Sequence, residues 1–116
     1  MHNFRELKVW QKSRKLTVTI YELTAKFPEA EHWGLTNQMR RAAISIVSNI
    51  AEGCGRKTNP QLRQFLSIAN GSSSELEAQV ILATDLGFLT SSNCEAIISK
   101  VNEVQKMLRA FYNTLN

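Results

Sequence analysis

Arg5, Lys8, Lys12 and Lys15 are spaced by three, four and three residues, which on an α-helix sets four cations on one face. Such a ridge has two uses. The lysine stems can cover apolar surface while their ammonium groups stay in water. Alternatively, the charges can be aimed at successive phosphates of a nucleic acid, displacing its counterions. Arg40-Arg41, Arg56-Lys57 and Arg63 extend the second use if the fold brings them beside the first ridge. The charge distribution bears on this: residues 1–63 carry a net +6 and residues 64–116 a net −2, within a chain of +4. The basic half is therefore the candidate polyanion-facing surface.

Other chemistry is poorly supported. Glu29-Ala-Glu-His32 has the Glu-x-x-His spacing of di-iron bundles, but that site needs a second such pair and further inward glutamates. The chain has only His2 besides, and the motif follows a proline in a connecting stretch. Serines are plentiful, yet Gly-x-Ser-x-Gly is missing, as are the P-loop and Gly-x-Gly-x-x-Gly. Glu52 stands four residues before Arg56, the spacing of a helical ion pair. Cys54 and Cys94 lack CxxC spacing and read as free thiols. No enzyme activity, metal or cofactor is expected.

Helices must position the basic residues. In the first, spanning Arg5 to Phe27, Val9, Ser13, Leu16, Ile20, Leu23 and Phe27 recur at steps of four and three, and Pro28 ends it. Trp10, Thr17 and Tyr21 flank this stripe, and make the apolar surface wider than one seam needs. They form either a broad core face or a subunit interface, where aromatic residues are enriched. The second helix runs from Leu35 or Thr36 to Cys54. Thr36 is its expected cap, and Gly53 and Gly55 its left-handed stop.

The third helix opens at Asn59 as cap with Pro60 at the first helical position, and continues to about Leu86, where Gly87 ends it. Asn70-Gly-Ser-Ser-Ser74 has the composition of a linker. The apolar phase is unbroken on both sides of it, so it reads as helix, its small residues admitting a close neighbour such as Ala42, Ala43 and Ser45. The fourth helix starts with a capping box at Ser92 and Glu95. It carries Cys94, Ile97, Val101, Val104, Leu108, Phe111 and Leu115 in three-four alternation. Short connections favour antiparallel neighbours. The expected fold is all-α, an antiparallel up-down-up-down four-helix bundle, with residues 1–116 as one domain. No run of 18 apolar residues and no signal-peptide core occurs, so a cytoplasmic location and no membrane partner are expected.

Several separated segments share a further likeness: Phe4-Arg-Glu-Leu-Lys-Val-Trp10, Phe27-Pro28, Gly34-Leu-Thr-Asn-Gln-Met-Arg-Arg-Ala42, Ser45-Ile-Val-Ser-Asn-Ile-Ala-Glu-Gly53 and Asp85-Leu-Gly-Phe-Leu89. In this order they resemble the four-helix-bundle proteins associated with intervening sequences in bacterial 23S ribosomal RNA genes, also labelled the S23-type ribosomal protein family. The resemblance implies an antiparallel four-helix bundle without catalytic residues. It also points to the related accessory proteins of diversity-generating retroelements, which look like basic pentameric barrels binding nucleic acid and a reverse transcriptase. A homo-oligomer, with a pentamer as its form, is implied for this chain.

The expected function is thus a non-enzymatic accessory protein that binds RNA or DNA through Arg5, Lys8, Lys12, Lys15, Arg40, Arg41, Arg56, Lys57 and Arg63. The alternative is a scaffold that binds a protein partner, such as a reverse transcriptase, through its bundle faces.

Overall fold

The computed structural model describes residues 2–115. Four helices follow one another: α1 (Lys8–Thr24), α2 (Leu35–Cys54), α3 (Asn59–Asp85) and α4 (Ser91–Asn113). Single 3-10 turns lie at Phe4–Glu6 and Glu29–Glu31. α1 and α3 each pack on both α2 and α4, and no pair packs across the diagonal among the described residues. This is the expected up-down-up-down bundle. Its longest extent, 43 Å, is close to that of the 27-residue α3 at about 1.5 Å per residue. None of the helices is long and apolar enough to cross a membrane.

Each helix turns one apolar stripe inward. Val9, Leu16 and Ile20 of α1 meet Met39, Ala43, Ile46 and Ile50 of α2, Leu66, Ala69, Leu76 and Val80 of α3, and Ile97, Val101, Val104 and Leu108 of α4. Burying such a side chain stabilises the fold by roughly 1.5–3 kcal/mol. Buried Ser13 and Thr24 donate back to the carbonyls of Val9 and Ile20, both at 2.7 Å, so neither hydroxyl is orphaned.

The α2–α3 seam is the most extensive and the α1–α4 seam the thinnest. Ser45 and Ser72 touch across the former, their hydroxyls 2.7 Å apart. Residues 70–74 are therefore helical, and serines do face α2. Gly71 departs from expectation, because a Cβ there would meet nothing within 4 Å. Gly53 departs too. It lies inside α2, and a Cβ on it would fall 2.8 Å from Phe65 Cβ and 2.9 Å from Leu62 Cδ1. Close packing, not a left-handed turn, requires glycine here. Gly55 has a right-handed φ of −84°, and only Gly87 among the described residues has a positive φ, 83°.

α2 begins at Leu35, one of its two expected starts, whereas the other helix starts differ from expectation by one to three residues. Thr58, with extended backbone, accepts from Gln61 N at 3.3 Å, which moves Asn59 and Pro60 into α3. Thr90 caps α4 in the same way through Asn93 N at 3.0 Å, ahead of Ser92. At α2 the Glu31 carboxylate accepts from Leu35 N at 3.2 Å, while Thr36 is buried within the helix. α1 ends at Thr24, before Phe27, whose ring plugs this end of the core beside Phe88.

Among the described residues one buried side-chain polar atom lacks a partner. Gln79 donates to Glu75 Oε1 at 3.2 Å, but its own Oε1 is buried and accepts nothing. An orphaned buried acceptor costs about 1–3 kcal/mol, and the bond to exposed Glu75 returns about 0.5–1.5. Gln79→Met is thus expected to stabilise the bundle by about 1 kcal/mol, read as a higher urea midpoint at unchanged slope.

Candidate nucleic-acid interface

The outer face of α1 carries two adjacent columns, Trp10-Arg14-Val18 and Gln11-Lys15-Thr19, each stepping by four residues. With Arg5 and Lys100 of α4 they line a shallow groove of about 960 Å³. Four cations border it and no carboxylate does. Val18, in its lining, is 56% exposed.

Arg5 reaches this groove by a route the spacing did not foretell. It was expected on the first helix, but Leu7 is extended, with ψ 127°, and α1 begins only at Lys8. Asn3 Oδ1 accepts from Arg5 N at 3.2 Å and Leu7 N donates to Phe4 O at 3.0 Å, which closes a separate 3-10 turn. The Gln11 amide then donates to Arg5 O at 2.8 Å and ties the turn to α1. Phe4 packs edge-on against Trp10, ring centroids 4.9 Å apart. Arg5 Cζ lies 5.9 Å from the Phe4 ring and Arg14 Cζ 5.6 Å from the Trp10 ring.

The remaining predicted cations are dispersed. Lys8 is exposed at the start of α1. Lys12 Nζ pairs with Glu103 Oε1 of α4 at 2.9 Å, which turns its charge toward a carboxylate. Arg40 serves the fold. Its Nε donates to Thr24 Oγ1 at 2.9 Å and its Nη2 to Tyr21 O at 3.3 Å, and its Cζ lies 4.5 Å from the Tyr21 ring. It thereby adds a second donor to a carbonyl near the end of α1 that already accepts from Ala25 N at 3.0 Å. Arg41 beside it is exposed. Arg56 pairs with Glu52 at 3.1 Å, as its spacing indicated, and covers Phe65 at 4.7 Å. Lys57 is exposed, and Arg63 Nη1 donates to Leu115 O at 2.9 Å. Arg40 lies about 21 Å from the end of α2 at Cys54, at roughly 1.5 Å per residue, and Arg56 follows beyond that end. The fold therefore gathers Arg5 and Lys15 but not the whole set.

Of the flanking residues, Trp10 is half-buried against Phe4, and Tyr21 is exposed beneath Arg40. Thr17 is drawn toward α2, its hydroxyl donating to Ser13 O at 2.8 Å and lying 3.3 Å from Ala43 O. The groove also takes in Arg14 and Lys100, which the spacing did not single out. The signal for Arg14 was its position four residues after Trp10, one helical turn along the same face. Lys100 could be placed only by the packing of α4 on α1.

Elsewhere, burial pushes the Cys54 thiol above its ordinary pKa, which disfavours a nucleophilic thiolate. Cys54 and Cys94 are both free. Glu29 and His32 sit at an exposed turn, and His32 packs edge-on against Trp33. Among the described residues no group of three or more His, Cys, Asp or Glu side chains is gathered.

The family model described as 23S rRNA-intervening sequence protein matches residues 5–110. Among solved structures, a protein of unknown function from the S23 ribosomal protein family of Bacteroides thetaiotaomicron superposes with a TM-score of 0.81. It is 24% identical, over 90% of this chain and 97% of that one, a likeness that speaks to the fold. A search among curated proteins found no match.

Proposed function

The chain belongs to the 23S rRNA-intervening sequence protein family, and from that premise we propose that it is a non-enzymatic, homo-oligomeric accessory protein that binds nucleic acid through the outer face of α1. The observation carrying this reading is the groove bordered by Arg5, Arg14, Lys15 and Lys100 with no carboxylate in its lining. Cations left unneutralised on one face attract a polyanion, and binding through them is sequence-tolerant and salt-dependent. Arg40, Arg56 and Arg63 contribute less, because each already engages an acceptor of its own chain. The test is binding of structured 23S rRNA fragments and of single strands at low salt, with light scattering for the oligomer. Failure of every nucleic acid to bind would sink the reading, and a monomeric mass at micromolar concentration would remove its oligomeric part.

A second reading, a scaffold for a protein partner such as a reverse transcriptase, draws on α3. There Ile68, Ile81 and Leu82 are 45%, 48% and 49% exposed. Stoichiometric capture of a protein without nucleic acid would favour it.

A further inference from the structure

We propose that the α1 groove prefers unpaired to paired nucleic acid, by stacking a base on the guanidinium of Arg14. This deepens the nucleic-acid reading above and rests on it. Phosphate contact alone does not separate single strands from duplexes in this way.

The arrangement is a ladder. Arg5 lies by Phe4, Phe4 meets Trp10 edge-on, and Arg14 lies by Trp10, at 5.9, 4.9 and 5.6 Å. The two rings are half-buried and packed against the core, so the middle of the ladder is fixed. Its Arg14 end is exposed and borders the groove. Among the described residues no carboxylate pairs with Arg14. A guanidinium is planar and weakly hydrated, and stacks readily on aromatic rings. Held beside an indole, it presents a flat cationic surface on which a base can lie.

A base within a duplex has both faces covered by its neighbours, so exposing one for Arg14 means breaking a stack. A base in a loop or single strand is already free to turn. Arg5, Lys15 and Lys100 then stand around the stacking position, where phosphates on either side of the base would run.

The test is fluorescence anisotropy with labelled oligo(U) and oligo(A) single strands and a hairpin duplex of matched length. Wild type, Arg14→Lys and Lys15→Gln are compared across a salt series. Wild type is expected to bind the single strands more tightly than the duplex. Arg14→Lys keeps the charge and removes the plane. It should weaken single-strand binding about tenfold, leaving the salt slope and the duplex affinity in place. Lys15→Gln should weaken both substrates and lower the slope by about 0.7–0.9. Equal affinity of wild type for duplex and single strand would overturn the proposal, as would Arg14→Lys binding single strands like wild type. If wild type binds none of the probes, the parent reading fails and this one with it.

Discussion

Gly53→Ala is expected to lower the stability of the bundle by about 1–2 kcal/mol, whereas Gly71→Ala raises it by about 1 kcal/mol. Both glycines lie inside long helices, where alanine gains about 1 kcal/mol in helix propensity. At Gly71 nothing opposes that gain, since a Cβ meets no atom within 4 Å. At Gly53 the new methyl falls 2.8 Å from Phe65 Cβ and 2.9 Å from Leu62 Cδ1. The leucine end can turn aside, but Phe65 Cβ is held directly on the α3 backbone, so α3 itself has to move. Overpacking of this kind costs typically 1–3 kcal/mol and outweighs the propensity gain. Urea unfolding of the two single variants and their double checks this. The double is expected to fall near the sum, because the residues sit on different helices and share no neighbour within 4 Å. A Gly53→Ala variant as stable as wild type would show that the seam yields at little cost.

Replacing Arg5, Arg14 and Lys15 together with glutamine is expected to reduce nucleic-acid affinity by on the order of 10–100-fold at low salt. The slope of log K against log salt should fall by about 1.4–1.8, because Arg5 and Lys15 each lose a phosphate contact worth about 0.7–0.9. Stability should change little, since all three side chains are exposed and surface substitutions usually stay within about 0.5 kcal/mol. The comparison variant replaces Arg56, Lys57 and Arg63. It removes the same formal charge from the far part of the predicted set. Its effect on binding should be smaller, because Arg56 already faces Glu52 and Arg63 already donates to Leu115 O. Filter binding or anisotropy over a salt series distinguishes the two triples. Equal losses would mean that net charge, not the α1 groove, governs binding.

The bundle was legible because its signal is redundant. Four stripes each repeat the three-four alternation several times, so the phase through Asn70–Ser74 carried that segment as helix against its linker-like composition. Helix starts were less legible because neighbouring residues compete for the same amides. Thr58 stands beside Asn59, Thr90 beside Ser91 and Ser92, and Glu31 within reach of Leu35. Which one wins depends on the backbone entering the helix. Residue type alone does not encode that. The site divides likewise. Lys15 and Arg5 were found from charge spacing, although Arg5 arrives on a turn of its own. Arg40 was read as a free cation because its acceptors, Thr24 and the Tyr21 carbonyl, belong to another helix. Arg14 was passed over because it lies outside the Lys8-Lys12-Lys15 series.

The thinness of the α1–α4 seam has a consequence for energetics. A bundle opens first where its elements share fewest contacts, and α1 and α4 approach one another least of the four neighbouring pairs. That seam is bridged on the outside by the groove, with Arg14 and Lys15 on one bank and Lys100 on the other. A strand lying across it would act as a staple on the weakest joint. Occupancy and folding then draw on one free energy, because a ligand that binds only the closed form stabilises that form by mass action. The melting temperature should rise with strand concentration for wild type and stay flat for the groove triple, making thermal unfolding a gauge of binding.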